Sequence, residues 1–170
     1  VCEPSPFFDD RQADTTVNLV VMHNISLPAG VFGLGYVRAL FLGHLLQNDI
    51  QGFESLRGLK VSSHFFIDRR GLINQFVSIK KRAWHAGRSI FQGKSCCNDF
   101  SIGIEMEGSD FVPFQRVLSA VRLADREFFG CECQRFAVAC QPSEDEQSGS
   151  ETTSEKEYAG IAYDPYGQVA

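Results

Sequence analysis

The sequence predicts a mixed α/β domain around a sheet that includes antiparallel pairs. Residues 17–22 (VNLVVM) form a short, nearly continuous apolar run, which is typical of a central strand buried on both faces. Two segments on either side of a tight turn predict a hairpin, and two segments with apolar residues at helical spacing predict helices. The 170 residues, 44% apolar and 22% charged, suit one globular domain with a single core.

The other elements follow in chain order. Helical spacing predicts a helix over 36–46, and the strands of the hairpin are predicted over 61–67 and 72–78. Gly71 lies in the turn between these strands, where it can adopt a positive φ. Residues 101–107 (SIGIEME) alternate, which predicts a strand with Ile102, Ile104 and Met106 facing the core and Gly103, Glu105 and Glu107 on a second face that carries carboxylates.

The chain is predicted to divide into a domain over 1–140 and an acidic tail over 141–170. A helix over 114–129 is the last strongly periodic segment. Residues 141–157 contain six acidic residues, one lysine and no aliphatic or aromatic residue, so they account for the whole formal net charge of -5. A segment with so little apolar surface cannot offset the entropy of ordering its backbone, and disorder is therefore expected there.

Composition also narrows the classes of partner. The net charge of -5 argues against nucleic acid, because binding to phosphates depends on a basic face. No apolar run is long enough for a membrane span, and the first residues lack the pattern of a secretory signal. The six cysteines lack the spacing of a zinc or redox motif and are expected to be reduced, small buried or half-buried thiols.

Three of the four histidines are candidates for a role in chemistry. His23 ends the apolar strand, where sites on α/β sheets tend to form, and either a metal ligand or a structural residue fits this position. His64 lies within a predicted strand, where a hydrogen-bonded structural imidazole is favoured over a role in chemistry. His85 follows Trp84, the only tryptophan, in a loop that suits either ligand contact or capping. His44 is expected on the surface of its helix.

Four stretches of the chain closely resemble the AmpD-type 1,6-anhydro-N-acetylmuramyl-L-alanine amidases, which are zinc enzymes of bacterial cell-wall recycling. They are 20–28 (VVMHNISLP), 61–67 (VSSHFFI), 81–87 (KRAWHAG) and 97–108 (CNDFSIGIEMEG). The resemblance runs from Pro4 through the predicted helix over 114–129, about three quarters of the chain. It implies a central mixed sheet flanked by helices, the amidase type 2 (peptidoglycan-recognition-protein-like) fold.

The resemblance also implies site residues. In the family, two histidines and an aspartate hold the zinc, leaving one position open for a water. By position, His23 matches the first ligand and Glu105 matches the glutamate that acts as general base on that water. Asn24, Trp84 and His85 fall in stretches that resemble the walls of the family's substrate cleft, and we expect them to bind substrate.

The chain departs from the family after the predicted long helix. Where relatives carry a Gly-His-Cys segment and a Lys-Thr-Asp-Pro-Gly segment, alignment by position places Ala139 at the second histidine, Gln147 at the lysine and Gly149 at the aspartate. No histidine follows His85, and Asp164 lies too far along the chain to be carried over. Zinc is therefore the expected cofactor, but weakly held.

Three functions follow as hypotheses. The first is an N-acetylmuramoyl-L-alanine amidase that cleaves the lactyl-L-alanine amide of anhydromuropeptides in peptidoglycan recycling. The second is a catalytically defective homologue that binds muropeptide without turnover, and the third is a folded remnant with neither property. A monomer in the cytoplasm is expected, with peptidoglycan fragments as partners and no nucleic acid or membrane.

Glu107 lies on the same face of the predicted strand as Glu105. For Glu107, a solvated carboxylate at the strand end and a functional role are equally compatible with the sequence.

Overall fold

A computed structural model describes residues 1–45, 53, 56 and 58–109, together with the backbone of 136–138 and 156–157. Its strands are β1 (Phe8–Asp10), β2 (Leu19–Ile25), β3 (Phe65–Ile67), β4 (Ile73–Gln75), β5 (Lys81–Ala83), β6 (Ser89–Phe91), β7 (Lys94–Ser95), β8 (Ser101–Glu107), β9 (Phe136–Val138) and β10 (Lys156–Glu157). Its helices are α1 (Tyr36–Phe41) and α2 (Cys97–Phe100). Within these ranges no helix has the length and apolarity needed to cross a bilayer.

The main sheet has five described strands in the order β4-β3-β8-β2-β9. Four of them are parallel: β2 pairs with β8 and β9, and β8 also pairs with β3. β4 runs antiparallel to β3. This confirms a mixed sheet with the apolar segment as an inner strand, and the strand continues past Met22 to Ile25. The carboxyl ends of the parallel strands meet at one edge, which is where such sheets hold their sites.

Both faces of the sheet are covered. One face carries a cluster of seven buried residues, Val20, Met22, Phe65, Ile67, Ile102, Ile104 and Met106. On the opposite face, Leu19 and Val21 pack with α2 and the residues before it, and Phe66 packs with α1. All seven residues of β8 are buried, so its carboxylate-bearing face lies inside the molecule. Its alternation had predicted only one face toward the core, because the pattern of one strand does not reveal what packs on its polar side.

The predicted hairpin is present, with shorter strands than expected. β3 and β4 pair antiparallel, and Gly71 has a φ of +85° in the turn between them. The Asp68 carboxylate accepts the backbone N–H groups of Arg70 and Leu72, both at 2.9 Å, which fixes the turn. Burial would raise the pKa of Asp68, but these hydrogen bonds and the Arg70 guanidinium lower it overall.

Helix α1 ends five residues before the predicted boundary of 46. Gly43 adopts a φ of +71° after the last turn, and its N–H donates to the Leu40 carbonyl at 3.0 Å. The N–H of His44 donates to the Ala39 carbonyl at 2.8 Å. This pair of bonds is a Schellman motif, which closes the helix because glycine tolerates the left-handed conformation. His44 is exposed beyond it, in agreement with the sequence-based expectation of a surface residue.

Two smaller sheets and three cysteines complete the described structure. β1 pairs with β5, and β6 pairs with β7 and, in parallel, with β10. β10 lies inside the acidic tail predicted over 141–170, whose disorder stays a prediction. The predicted helix over 114–129 and the rest of the tail lie outside the described residues. In the described ranges, Cys2, Cys96 and Cys97 are free thiols. Cys97 is buried as predicted, but Cys2 and Cys96 are exposed, so the prediction of buried or half-buried thiols is wrong for these two.

Candidate functional site

His23 and Glu105 lie side by side in the carboxyl-terminal halves of β2 and β8. They are direct register partners across the parallel pair β2–β8, so their side chains leave the same face of the sheet. Both are buried, with 2% of His23 and 6% of Glu105 exposed. Two residues that are 82 positions apart in sequence are therefore placed together by one strand pairing.

His85 packs beneath His23 on this face. The His23 Nε2 and His85 Nδ1 atoms are 3.1 Å apart, and the two rings meet edge to face with centroids 5.4 Å apart. On the other side of the ring, His85 Nε2 lies 3.2 Å from Ser101 Oγ. Desolvation, with a smaller effect from His23, lowers the pKa of His85 well below its ordinary range, so this imidazole is neutral at pH 7.

The loop that carries His85 is anchored by its backbone and by a close approach to β8. The Asn98 Oδ1 atom accepts the N–H of His85 at 3.1 Å and the N–H of Ala86 at 2.8 Å. The ring of His85 lies directly against Gly103, where an added Cβ would stand 2.4 Å from the ring Cγ. Only glycine leaves room for the imidazole at this point of the strand.

His64 is a structural imidazole, as the sequence indicated. Its Nδ1 accepts the backbone N–H of Gly103 at 2.9 Å, which leaves the ring proton on Nε2, 3.0 Å from the Lys81 carbonyl. Burial, together with the nearby Arg11 guanidinium, lowers the pKa of His64 to about 3. Both nitrogens are engaged in the neutral form, so His64 fits neither a proton-transfer role nor a metal-binding role.

Glu107 is an anchor and not a solvated carboxylate. It is 5% exposed, and its two oxygens accept the N–H of Gly33 at 2.5 Å and the N–H of Arg69 at 3.1 Å. The Arg69 guanidinium lies 4.7 Å above the centre of the Phe32 ring. One buried carboxylate therefore joins the loop before α1 to the β3–β4 turn, next to the strand ends that carry His23 and Glu105.

The three residues predicted to bind substrate have different surroundings. Asn24 alternates to the opposite face of β2 from His23. Trp84 stacks on Phe7 with ring centroids 6.4 Å apart. Its indole N–H is buried without a hydrogen-bond partner among the described residues. Only His85 lies against His23, and both of its ring nitrogens face groups of this chain. Substrate contact by the three residues stays a prediction.

The described residues do not bring together the donors of a complete zinc site. A catalytic zinc takes three protein ligands, most often nitrogen, oxygen or sulfur donors. No group of three His, Cys, Asp or Glu with suitable geometry occurs in the described part of the chain. His23 is suited to one ligand position, and Glu105 is suited to the neighbouring position of an acid–base group. Of the other histidines, His64 and His85 have committed nitrogens and His44 is exposed.

Sequence reasoning missed Ser101, Asn98 and Gly103, which shape the surroundings of His23 through His85. One signal for Gly103 was present, because an isolated glycine within a strand often marks a close approach of another group. Nothing in the sequence distinguishes Ser101 or Asn98 from other small polar residues near a helix end.

The chain is similar to known amidases in sequence. The family model described as N-acetylmuramoyl-L-alanine amidase matches residues 13–145. The 1,6-anhydro-N-acetylmuramyl-L-alanine amidase AmpD of Citrobacter freundii is 50% identical over 111 residues, which are 65% of this chain and 59% of that protein. AmpD of Haemophilus influenzae is 48% identical over 110 residues, covering 65% of this chain and 60% of that one.

Solved structures show the same fold. A crystal structure of a selenomethionine AmpD derivative superposes with a TM-score of 0.68 at 46% identity, covering 74% of this chain and 73% of that one. The solution structure of Citrobacter freundii AmpD gives a TM-score of 0.53 at 40% identity over 88% and 83% of the two chains.

The aligned part of this chain spans about three fifths of the length of the AmpD sequences it matches. The family match covers most of the chain and contains both His23 and Glu105, the pair that the β2–β8 register brings together. On this evidence the chain belongs to the N-acetylmuramoyl-L-alanine amidase family.

Proposed function

We propose that this chain hydrolyses the amide between the lactyl group of an anhydromuropeptide and L-alanine. The observation that carries the proposal is the register pair of His23 and Glu105, both buried in the carboxyl-terminal halves of two parallel strands. The relatives named as 1,6-anhydro-N-acetylmuramyl-L-alanine amidases supply the reaction and the substrate class. The proposed setting is peptidoglycan recycling in the cytoplasm, with the chain as a monomer.

In this proposal Glu105 is the general base. Amide hydrolysis needs a water to lose a proton as it attacks the carbonyl carbon, and a fixed carboxylate can accept that proton and pass it to the leaving amine. The position of Glu105 inside the β8 ladder holds its backbone rigidly. Asn24 and Trp84 are the proposed contacts to sugar and peptide, and His85 is the third candidate from the sequence.

His23 would hold zinc in this site through one imidazole nitrogen. When bound, zinc acts as a Lewis acid and lowers the pKa of a bound water. With His23 as the one assigned ligand, the ion should be held weakly and at less than one equivalent per chain. Equilibrium dialysis against zinc tests this expectation, and one tightly bound zinc per chain would show that residues outside the described ranges complete the site.

Turnover can be tested directly on a purified anhydromuropeptide in the presence of zinc. Chromatography of the products should show the free peptide beginning with L-alanine and the anhydro sugar without its peptide. Glu105→Gln should reduce the rate by at least about 100-fold, because general base catalysis contributes on the order of 10²–10⁴. Glu3→Gln, which alters an ion pair with Arg38 on the surface, is the matched control and should leave the rate unchanged.

A second candidate is a homologue that binds muropeptide without turnover. One observation favours it: the described residues contain no group of three potential metal ligands, and the sequence has no histidine after His85. Calorimetric titration of the same anhydromuropeptide separates the two functions. Binding without product supports the second candidate, product formation supports the amidase, and absence of both would indicate a folded remnant.

A further inference from the structure

We infer that His85 and Ser101 are positioning residues that hold the His23 imidazole in one tautomer, with its proton on Nε2 and its lone pair on Nδ1. The functional meaning of this tautomer rests on the proposed function, because only the unprotonated nitrogen of His23 can bind zinc. The tautomer itself follows from hydrogen bonds within the chain.

The direction of the hydrogen-bond chain is set at Ser101. Its Oγ lies 2.5 Å from the backbone carbonyl oxygen of Cys97. Two oxygens approach this closely only with a proton between them, and a carbonyl has none to give, so the serine hydroxyl is the donor. A hydroxyl has a single proton, and Ser101 Oγ is therefore an acceptor toward its other neighbour, His85 Nε2, at 3.2 Å.

This donor at Ser101 then determines which nitrogen carries the proton in His85 and in His23. His85 must donate its Nε2 proton to Ser101, so in the neutral ring Nδ1 carries a lone pair. That lone pair faces His23 Nε2 at 3.1 Å, and the contact is a hydrogen bond only if His23 carries its proton there. The lone pair of the neutral His23 ring is consequently on Nδ1.

The residues that form this series of hydrogen bonds are fixed by the fold, and they therefore define the orientation of the His23 ring. Cys97 belongs to α2, Ser101 begins β8, and Asn98 fixes the backbone of His85 and Ala86. Gly103 has no side chain, so the His85 ring packs directly against the backbone of β8. Ligand histidines commonly donate their other ring N–H to a partner that fixes tautomer and orientation, and loss of such a partner typically weakens metal binding about 10–100-fold.

The role differs from substrate binding, which the sequence suggested for His85. Both ring nitrogens of His85 are used inside the chain, so the side chain acts on the reaction through His23. It also differs from a packing role, because an apolar residue of similar size would fill the space without selecting a tautomer.

The test is nitrogen NMR of the metal-free chain labelled with ¹⁵N-histidine, at neutral pH. His23 should show a protonated Nε2 and an unprotonated Nδ1. In His85→Phe the preference for the Nε2-protonated form should be lost, whereas His85→Asn should preserve it, because the Asn Oδ1 can accept at the position of Nδ1. Ser101→Ala is a milder second variant and should weaken the preference. His44→Gln, at an exposed position, is the matched control and also assists assignment.

Metal binding gives a second readout. The dissociation constant for zinc should rise about 10–100-fold in His85→Phe and much less in His85→Asn. A His23 ring protonated on Nδ1 in the unmodified chain would overturn the inference, as would an unchanged tautomer in a folded His85→Phe variant. The NMR result needs neither zinc nor substrate, so it stands apart from any failure of turnover, which would count only against the proposed function.

Discussion

His64 is a buried histidine that the fold keeps neutral, and this makes stability depend on pH. Its pKa is about 3 in the folded chain, against 6.5 for an ordinary histidine. The unfolded chain therefore binds a proton more readily, and the stabilisation by neutral His64 is complete above pH 6.5. It is lost as the pH falls from about 6.5 toward 3, by an amount on the order of a few kcal/mol.

Urea unfolding at a series of pH values between 7 and 4 measures this loss. The free energy of unfolding should fall with pH more steeply for the unmodified chain than for His64→Gln, which cannot titrate. Both proteins share all other titrating groups, so the difference in slope reports His64 alone. Equal slopes would mean that His64 does not have the lowered pKa.

Gly103 is a second residue whose effect is local and measurable. Gly103→Ala would place a Cβ 2.4 Å from the His85 ring, and we expect it to destabilise the fold by about 1–3 kcal/mol through overpacking. The cost should shrink in a His85→Ala background, where the ring is absent. A double-mutant cycle by urea unfolding checks this, and additive effects would show that the two residues do not clash.

At the scale of elements, Arg11 joins the segment after β1 to the end of α2 and the start of β8. Its guanidinium donates to the carbonyls of Asn98, Asp99 and Ser101 at 3.0, 2.6 and 2.7 Å. A lysine keeps the charge but cannot reproduce this planar set of donors. Arg11→Lys should lower the free energy of unfolding by about 1–3 kcal/mol. The exposed Arg70→Lys is the control, and an equally small effect at both sites would contradict the role given to Arg11.

Glu107 joins two loops in the same way. In Glu107→Gln, one carboxylate oxygen becomes an NH₂ group that faces a backbone N–H, so a buried donor loses its acceptor. We expect a loss of about 1–3 kcal/mol in thermal or urea unfolding, against less than about 1 kcal/mol for Glu3→Gln in a surface pair. Faster hydrogen exchange at the amides of Gly33 and Arg69 should accompany it. Unchanged hydrogen exchange at these two amides would show that Glu107 does not hold the two loops in place.

The elements also show how far the sequence could lead. The apolar run of β2 and the turn at Gly71 were sufficient to predict an inner strand and a hairpin. The length of α1 was overestimated because the apolar period continues past Gly43, where the left-handed glycine closes the helix. His23 and Glu105 were identified by family resemblance, but their adjacency depends on the register of two distant strands. Contacts of Ser101 and Asn98 depend on side-chain geometry that no local pattern encodes.

The whole molecule assembles around a pairing between distant parts of the chain. β2 and β8 share seven register pairs, yet the partners lie about eighty residues apart in sequence. Closing so long a loop costs entropy before the pairing offsets it, and non-local parallel pairing is slow to form. The β3–β4 hairpin, by contrast, needs only a short turn.

Because of this difference in loop length, we expect the β3–β4 hairpin to form before the β2–β8 pairing. In refolding followed by pulsed hydrogen exchange, amides of β3 and β4 should become protected before those of β2, and protection of β2 and β8 should rise together. Early protection of β2 alone would contradict this order. His23 and Glu105 come together only at this late step, because their adjacency depends on the β2–β8 pairing. A partly folded chain that has the hairpin but not this pairing therefore does not yet have the proposed site.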